Sequence, residues 1–334
     1  MSKVTLAVTM GDPAGIGPEV VLKGLERPQE FPGIAFVVVG VQSVLAETAQ
    51  SLRLPFEWPF ISRKEVSSLT SGTVAILEPP DIPTGPFALG ILSPDAGRAG
   101  VMAVEYAVDM ALESLADAIV TAPLNKEAIG LAGYDYPGHT ELLQERTGSK
   151  KVVMMLCSDR LRVALVTIHR ALRSAIEGLS EEAIFDCIRV TDEYLRRYFR
   201  LDKPRLAVAG LNPHAGEGGR FGDEESRIIQ PAVDRAMGAG VECRGPLAPD
   251  TVFVRAAAGE FDAVVCMYHD QGLIPLKLLS FASAVNVTLG LPIVRTSVDH
   301  GTGFDIAGKG VASAASLENA VKLAATIVRN LRQQ

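Results

Sequence analysis

The sequence predicts an α/β protein with a substantially parallel sheet. Short apolar runs alternate along the chain with segments whose apolar residues recur at helical spacing, an order typical of strand–helix–strand units. Some runs, such as Val4–Met10, are apolar without alternation, which indicates strands buried on both faces. Polar and titratable residues directly follow several of these runs. In open α/β sheets, ligands bind at that C-terminal end of the strands.

The N-terminal half alternates strand and helix with one proline-rich interruption. Helical spacing predicts a helix whose first turn contains Pro18, followed by helices at Ser43–Leu52 and Gly100–Ala116. The segment Glu78–Pro94 carries five prolines and predicts a loop. The apolar runs predict strands at Val4–Met10, Ala35–Gly40, Thr73–Leu77 and Asp117–Thr121.

The C-terminal half continues the alternation. Helical spacing predicts helices over 142–146, 184–198 and 317–331, with Thr140 and Ser316 as N-caps of the first and the last. The acidic run Asp223–Glu225 is expected to support the start of a further helix. Strands are predicted at Lys151–Leu156, Arg162–Thr167, Arg205–Gly210, Ala263–Met267, Ala284–Thr288 and Pro292–Thr296.

Length and composition exclude several classes of protein. A chain of 334 residues can form two domains, and its 48% hydrophobic and 21% charged residues are ordinary for a globular enzyme. A net charge of −7 argues against general nucleic-acid binding, which needs a basic surface. An anionic small-molecule substrate stays open, because only the local field of a binding site matters there.

The cysteines and the N-terminus predict a cytoplasmic soluble protein. The four cysteines form no CxxC pair, and buried free thiols in a reducing compartment are the expected state. The N-terminal apolar run is too short for a signal peptide, and no apolar run approaches the ~20 residues that a transmembrane helix needs.

Three of the five histidines each follow a strand-like run within a few residues. His169, His214 and His269 come after the runs that begin at Arg162, Arg205 and Ala263. Because the ends of parallel strands meet at one edge of a sheet, we expect these imidazoles to converge. Imidazole is the commonest transition-metal ligand, so the pattern predicts a metal site that the fold assembles. The alternative is that one or more are hydrogen-bonded loop histidines.

A second set of residues suits an anion. Lys277, Asn286 and Arg295 lie in otherwise apolar stretches, where a cation needs an anionic partner. With Lys126 and the helix start at His139–Thr140, they could receive a phosphate or a carboxylate. Internal ion pairs or snorkelling side chains are the alternative.

Two further features could serve a bound ligand. Asp250 and Asp270 are candidates for proton acceptors or for hydrogen-bond partners of the metal ligands. The glycine-containing segment Asp299–Lys309 predicts a tight loop that could clasp a ligand.

Seven sequence motifs are spread over nearly the whole chain. They are MGDPAGIGPE at Met10–Glu19, TAPLNK at Thr121–Lys126, PGHTE at Pro137–Glu141, LNPHAGEGG at Leu211–Gly219, PDTVF at Pro249–Phe253, MYHDQGLIPLK at Met267–Lys277 and RTSVDHGT at Arg295–Thr302. Taken together, these motifs resemble the 4-hydroxythreonine-4-phosphate dehydrogenase family of pyridoxal phosphate biosynthesis. The segment HGTGFDIAGKG also resembles the adenosine-binding loop of the isocitrate and isopropylmalate dehydrogenases.

The resemblance implies a fold and an assembly. The fold is that of the isocitrate and isopropylmalate dehydrogenases, with two α/β domains and a cleft between them. We place the first domain at residues 1–120 plus 290–334, and the second, with the metal ligands and the dimer interface, at 121–289. The expected assembly is a homodimer whose active site lies at the subunit interface.

The resemblance also implies a role for each site residue. The metal, zinc or alternatively magnesium or cobalt, would be held by His169, His214 and His269. Substrate contacts would be His139, Thr140, Lys277, Asn286 and Arg295. NAD or NADP would contact His300, Gly301, Thr302 and Asp305. Proton transfer would fall to Lys277, Asp270 or Asp250.

The implied reaction is oxidation of 4-phosphohydroxy-L-threonine with decarboxylation to 3-amino-2-oxopropyl phosphate. Relatives that oxidise 4-phospho-D-threonate, 4-phospho-D-erythronate or cyclic dihydrodiols keep the substrate open. Local residues at 169–173, 221–225, 249 and 274–277 lean toward the phosphosugar-acid branch. From a different class, a metal-dependent hydrolase or a non-catalytic binding protein is the alternative.

Overall fold

The structure is a computed structural model that describes residues 3–136, 138–281 and 283–334. Pro137, the first residue of the PGHTE motif, lies outside the described residues. The chain forms two compact units: Met1–Ser149 with Leu291–Gln333, and Lys150–Gly290 with Gln334. The predicted division placed residues 121–149 in the second domain, whereas here they pack within the first unit.

The first unit is a parallel sheet covered by helices. Its strands are β1 (Val4–Thr9), β2 (Ile34–Val39), β3 (Val74–Leu77), β4 (Ala118–Thr121) and β11 (Val294–Ser297), in the order β3-β2-β1-β4-β11. Every pairing in that order is parallel. Its helices are α1 (Gly17–Gly24), α2 (Gln42–Leu52), α3 (Pro94–Leu112), α4 (Lys126–Leu131), α5 (His139–Thr147) and α11 (Ala315–Leu331), with short 3₁₀ helices at Pro28–Glu30 and Arg63–Ser68.

The second unit carries a mixed sheet. Its strands are β5 (Val153–Cys157), β6 (Arg162–Leu165), β7 (Leu206–Ala209), β8 (Cys243–Leu247), β9 (Ala263–Cys266) and β10 (Val285–Leu289), in the order β10-β5-β6-β9-β7-β8. The pairs that β5 makes are antiparallel, and β6, β9, β7 and β8 pair in parallel. Its helices are α6 (Leu172–Glu177), α7 (Glu181–Phe199), α8 (Gln230–Gly238), α9 (Pro249–Ala257) and α10 (His269–Ser280), with a π-helical turn at Glu225–Ile229.

The predicted α/β class is confirmed, and most strand boundaries agree within two residues. The central strands are buried along their whole length, as continuous apolar runs require. No helix in the described part of the chain is long and apolar enough to span a bilayer.

Several helix starts were predicted wrongly. The N-cap of α5 is Gly138, so Thr140 lies inside the first turn rather than before it. Helix α11 has Ala314 as its N-cap, and the Ser316 hydroxyl instead accepts a hydrogen bond from the Asp299 N–H at 3.1 Å. Helix α3 begins at Pro94, six residues before the predicted start, because Ser93 caps it by accepting from Ala96 N–H.

Candidate active site

The three predicted metal ligands leave the same edge of the second unit's sheet. His169 follows β6, His214 follows β7, and His269 is the first residue of α10, directly after β9. Because β9 pairs in parallel with both β6 and β7, all three strands deliver their histidines at their C-terminal ends. The His169 and His269 rings come together, with centroids 5.9 Å apart and planes inclined at 44°.

Helix α10 sits close against these strands because its first turn contains a glycine. A Cβ added at Gly272 would lie 3.0 Å from both Cys266 Sγ and Leu165 Cδ2, at the limit of normal contacts. The backbone of α10 therefore packs directly on β6 and β9. That packing fixes where His269 emerges.

Asp270 sets the orientation and tautomer of His269. The Nδ1 atom of His269 lies 2.7 Å from Asp270 Oδ1. An ionised carboxylate can only accept, so Nδ1–H donates and Nε2 keeps its lone pair for a ligand. Asp270 itself is exposed. This is the arrangement in which a carboxylate orients a metal-binding histidine.

His214 lies in a strained loop that a buried glutamate holds. Five consecutive residues from His214 to Gly218 have positive φ, at 52°, 53°, 77°, 43° and 68°. Glu225 Oε1 accepts hydrogen bonds from the N–H groups of Leu211 at 2.8 Å and Asn212 at 2.7 Å. The expectation that Glu225 supports the next helix start was therefore incomplete, because its carboxylate holds the histidine loop. Left-handed non-glycine residues often mark functional sites.

A pocket of about 290 Å³ opens beside His169 and His269. Thr167, Ile168 and Tyr268 also line it. Among the described residues, no group of three or more histidine, cysteine, aspartate or glutamate side chains lies close enough to hold a metal ion. The structure thus brings two of the three histidines together and leaves His214 at the same sheet edge.

The other predicted residues of the second unit lie on separate elements. Asn286 is buried on β10, and its Oδ1 has no hydrogen-bond partner within the described chain. Lys277 is half-buried in the last turn of α10, with Nζ 5.9 Å from the Phe281 ring centroid. Asp250 is exposed in the first turn of α9.

The first unit holds a buried cation at the sheet's C-terminal edge. Arg295 on β11 is 1% exposed, and its Nη2 and Nε donate to Thr121 Oγ1 at 2.8 and 3.2 Å. Burial lowers the pKa of Arg295 to about 9, so the guanidinium still carries its charge at pH 7. A buried cation can attract an anion more strongly than an exposed one, because Coulomb attraction is stronger away from water.

His139 stands beside this cation and is neutral. Burial lowers its pKa well below the usual range, and the charges of Arg295 and Lys126 lower it further. The ring donates to the Ala122 carbonyl. Its Nε2 is buried without a hydrogen-bond partner in the described residues, so Nδ1 is the donor. His139 also opens α5, where free backbone N–H groups and the positive end of the dipole favour an anion.

Asp12 is a site residue that sequence reasoning missed. It follows β1, and its Oδ1 accepts from the Ala14 N–H at 2.8 Å. Its Oδ2 is buried with no partner in residues 3–136, 138–281 and 283–334. Burial raises its pKa to about 6, although the Ala14 and Asn125 N–H groups partly offset that effect. The available signal was its place in a polar turn directly after a buried strand.

The predicted cofactor loop packs against the turn that contains Asp12. Ile16 N–H donates to the Thr302 carbonyl at 2.9 Å, and Asn125 Nδ2 approaches Thr302 Oγ1 at 3.5 Å. His300 Nδ1 lies 3.0 Å from the Gly301 carbonyl. Gly301 and Asp305 are exposed, with no atom within 4 Å of a Cβ built on Gly301. The loop therefore offers accessible backbone and a carboxylate to a ligand.

Comparison with known proteins assigns the chain to a family. A family model described as "Pyridoxal phosphate biosynthetic protein PdxA" matches residues 34–324. The chain belongs to the PdxA family. The resemblance predicted from the motifs is thereby confirmed, and with it the dehydrogenase class.

Similar proteins with different names include two enzymes and one solved structure. The 4-hydroxythreonine-4-phosphate dehydrogenase of Desulfosudis oleivorans is 49% identical over 323 residues, covering 96% of this chain and 94% of the relative. The D-threonate 4-phosphate dehydrogenase of Salmonella typhimurium is 45% identical over 325 residues, covering 97% and 99%. A crystal structure of 4-hydroxythreonine-4-phosphate dehydrogenase from Klebsiella pneumoniae superimposes with a TM-score of 0.88 at 44% identity, covering 98% of this chain and 100% of that one.

Proposed function

We propose that this PdxA-family protein is a metal-dependent, NAD-linked dehydrogenase that oxidises and decarboxylates 4-phosphohydroxy-L-threonine to 3-amino-2-oxopropyl phosphate. The observation that carries the proposal is the pair of histidines at the strand ends, His169 and His269, beside a ligand-sized pocket. The names of the most similar relatives support the substrate class.

The donor set suits a divalent transition metal held by His169, His214 and His269. Imidazole nitrogen favours zinc or cobalt over magnesium, which prefers oxygen ligands. When bound, such a metal would polarise the oxygen on the reacting carbon and lower the cost of negative charge there. Asp270 supports the site by fixing the His269 tautomer.

Arg295, His139 and Thr140 are the proposed receptors for an anionic group of the substrate, with Lys277 and Asn286 as further contacts. Arg295 keeps its charge in a buried setting, where Coulomb attraction is stronger than in water. The unpartnered Asn286 Oδ1 suits a donor group such as a hydroxyl or an amine. Lys277, Asp270 and Asp250 stay the candidates for proton transfer.

We propose NAD rather than NADP as the cofactor of the loop His300–Asp305. The exposed Asp305 carboxylate can accept a hydrogen bond from a ribose 2′-hydroxyl and would repel a 2′-phosphate. His300, Gly301 and Thr302 would supply the remaining contacts. We also propose a cytoplasmic location, which suits buried free thiols.

A homodimer is proposed from an apolar stripe on α10. Ile274, Leu278 and Phe281 are spaced along one helical face and are 66%, 86% and 80% exposed. Val254 on α9 is also exposed, at 72%. Large apolar side chains exposed in a group mark interaction surfaces. Because α10 begins with His269, pairing through this stripe would involve the same helix as the metal site.

The stripe can be tested by charge. Leu278→Glu should convert the dimer to a monomer in analytical ultracentrifugation and remove activity, because burying an unpaired carboxylate in the interface costs free energy. Met237→Glu, at another exposed apolar residue on α8, is the matched control and should stay dimeric. Equal dimer dissociation constants for the two variants would show that the α10 stripe is not the dimer interface.

Oxidation of 4-phospho-D-threonate or 4-phospho-D-erythronate is the second candidate function. The observation that favours it is the 45% identity to the D-threonate 4-phosphate dehydrogenase over 97% of this chain. Both candidates predict a phosphorylated hydroxy acid, so the anion-binding residues do not separate them.

The decisive experiment is a comparative assay of NADH formation with zinc present. The purified protein is given 4-phosphohydroxy-L-threonine, 4-phospho-D-threonate and 4-phospho-D-erythronate at equal concentrations. The proposal expects the highest kcat/KM with the first. A higher value with either of the others would reassign the substrate. Absence of NADH with all three, together with no thermal shift on adding NAD, would favour the hydrolase or binding-protein alternative.

A further inference from the structure

Helix α1 anchors the chain directly after the proposed cofactor loop, Asp299–Lys309, through a buried ion pair. Lys23 Nζ lies 2.7 Å from Glu19 Oε1, one turn away on the same helix. The same ammonium group donates to the carbonyls of Gly310 at 2.8 Å and Ala312 at 3.0 Å. Glu19 Oε1 also accepts from the Ala312 N–H at 2.8 Å. The pair therefore binds both backbone polar groups of Ala312.

The Glu19–Lys23 pair is not an ordinary surface ion pair. The Glu19 side chain is 2% exposed and that of Lys23 is 24% exposed. Surface pairs contribute little because water and salt screen them, whereas burial removes much of that screening. An ammonium group has three N–H donors, and here it has three acceptors, one carboxylate and two carbonyls. The two bonds that leave α1 both go to the backbone directly after the loop.

The turn before α1 holds the beginning of the same loop. The Ile16 N–H donates to the Thr302 carbonyl at 2.9 Å. A Cβ added at Gly15 would lie 2.7 Å from the same carbonyl oxygen, closer than real contacts allow. The turn and the loop therefore pack backbone against backbone. One short stretch of chain, residues 15–23, thus contacts the loop near its start and the residues just after its end.

Two hydrogen bonds inside the loop are local. The Ile306 N–H donates to the Gly303 carbonyl at 3.0 Å, and the Lys309 N–H donates to the Ile306 carbonyl at 3.1 Å. Bonds between residues three apart shape the loop but do not fix its place on the unit. That place therefore depends in large part on the two ends. A loop that holds its binding conformation only part of the time binds its ligand more weakly in proportion.

We propose that Glu19 and Lys23 are positioning residues that hold the loop Asp299–Lys309 in the conformation that binds the nicotinamide cofactor. The pair touches no cofactor in this role, because it acts through the backbones of Gly310 and Ala312. Holding the loop before the cofactor arrives removes part of the ordering cost of binding. The inference rests on the proposed use of NAD at this loop.

Direct NAD binding tests the proposal without relying on turnover. In isothermal titration calorimetry of the full-length protein, Lys23→Met should raise the Kd for NAD by about 10-fold, the result expected if the released loop holds its binding conformation about a tenth of the time. The KM for NAD should rise with it, whereas kcat at saturating NAD should stay near the wild-type value, because an effect confined to binding does not change kcat. Without NAD, amide hydrogen exchange over residues 300–312 should be faster in the variant.

Two further variants probe the loop by other routes. Glu19→Gln removes the charge but keeps an oxygen that can accept from the Ala312 N–H, so the Kd for NAD should rise by less than in Lys23→Met. Gly15→Ala leaves the Glu19–Lys23 pair in place and forces the turn away from the Thr302 carbonyl, so the Kd should rise here too. The test therefore stays informative even if Lys23→Met does not fold.

Arg196→Met is the matched control for a purely structural effect. Arg196 in α7 of the second unit pairs at 2.8 Å with Asp192, which is one turn away and 8% exposed, and also donates to the Asp202 carbonyl. Its replacement likewise leaves a buried carboxylate without its cation and releases a backbone carbonyl. We expect a similar fall in thermal midpoint for Lys23→Met and Arg196→Met, with the Kd for NAD raised only in the first.

The outcomes separate this inference from the proposed function. An unchanged Kd for NAD in the folded variants at positions 15, 19 and 23 would overturn the positioning role, while the cofactor assignment would stand. An equal rise in Arg196→Met would also overturn it, because the effect would then come from general destabilisation. If the wild-type protein binds no NAD in the same calorimetric titration, the proposed cofactor fails, and the positioning role fails with it.

Discussion

The two units hold functional residues in states that cost free energy for different reasons. In the first unit the cost is electrostatic: Arg295 is a buried cation, Asp12 is a buried carboxyl and His139 is a buried neutral imidazole. In the second unit the cost is conformational, since His169 and His214 have left-handed backbones. An anion would relieve the cost of burying the Arg295 charge, and a metal would offset the second cost by ligation. Stability and pH experiments can therefore tell the two regions apart.

The largest expected effect is loss of a metal ligand. His169→Ala should lower activity by more than about 10³-fold, because metal polarisation of a substrate oxygen is worth several kcal/mol. His169→Gly should lose activity equally but unfold at a higher temperature than His169→Ala, since φ of 45° suits glycine. Steady-state kinetics and thermal unfolding check both. A His169→Ala variant that keeps metal binding would remove this histidine from the site.

Arg295→Met should weaken the binding of phosphate-ester substrates by about 10²-fold, because it removes the buried charge that would bind the anion. The free energy of unfolding at pH 7 should change little, because relief of the desolvation that lowers the Arg295 pKa to about 9 offsets the loss of the hydrogen bonds to Thr121. KM measurements and urea unfolding test the pair of effects. A large loss of stability with an unchanged KM would make Arg295 a structural residue.

Asp12→Asn should stabilise the protein in neutral solution. The pKa of Asp12 is raised from 3.8 to about 6, so the folded state binds a proton more tightly than the unfolded state. Wild-type stability therefore increases as the pH falls from about 6 to 4, and at pH 7 the charged carboxyl costs roughly 3 kcal/mol. Urea unfolding should show a gain for Asp12→Asn at pH 7 that disappears near pH 4. Equal gains at both pH values would rule out the carboxyl charge as the cause.

His139 should produce the opposite slope. Its folded pKa is lowered well below 6.5, so the unfolded state takes up the proton first. Stability is then lost as the pH falls through about 6.5, by up to about 1.4 kcal/mol per pH unit. His139→Asn should remove this loss of stability. Making the comparison in a protein that also carries Asp12→Asn would remove the Asp12 titration and leave the effect of His139 alone. Phosphate should reduce the slope in the wild type, because an anion raises the pKa of a neighbouring imidazole. If the dependence of stability on pH is the same in His139→Asn as in the wild type, His139 is not the group that causes it.

Sequence patterns predicted well which histidines lie at the sheet edge of the second unit. They predicted only part of the group of buried charged residues in the first unit. Strands with no polar alternation are typical of parallel sheets, and residues directly after parallel strands share one edge, as His169, His214 and His269 do. The order β6-β9-β7 could not be predicted, because pairing depends on contacts far apart in the chain. Asp12 was missed because an unpartnered buried oxygen appears only in three dimensions.

Helix α10 shows why local sequence misleads. Gly272 and Pro275 disfavour a helix, and the sequence patterns predicted no helix after the strand that ends at Met267. The chain is nevertheless helical from His269 to Ser280, because Leu273 and Leu276 bury their side chains in the core. Tertiary packing overrides propensity here, and Gly272 is required by the close approach to β6.

The backbone from His214 to Gly218 has a stereochemical consequence. These five residues have left-handed φ, which costs about 1–2 kcal/mol for each of the three that are not glycine, His214, Ala215 and Glu217. The conformation of this turn therefore suits D-residues, although the natural chain builds it from L-residues and glycine. A semisynthetic protein with D-alanine at position 215 and D-glutamate at 217 would meet that demand without moving the imidazole. The increase in its free energy of unfolding over that of the natural protein would measure the backbone strain that accompanies the position of His214.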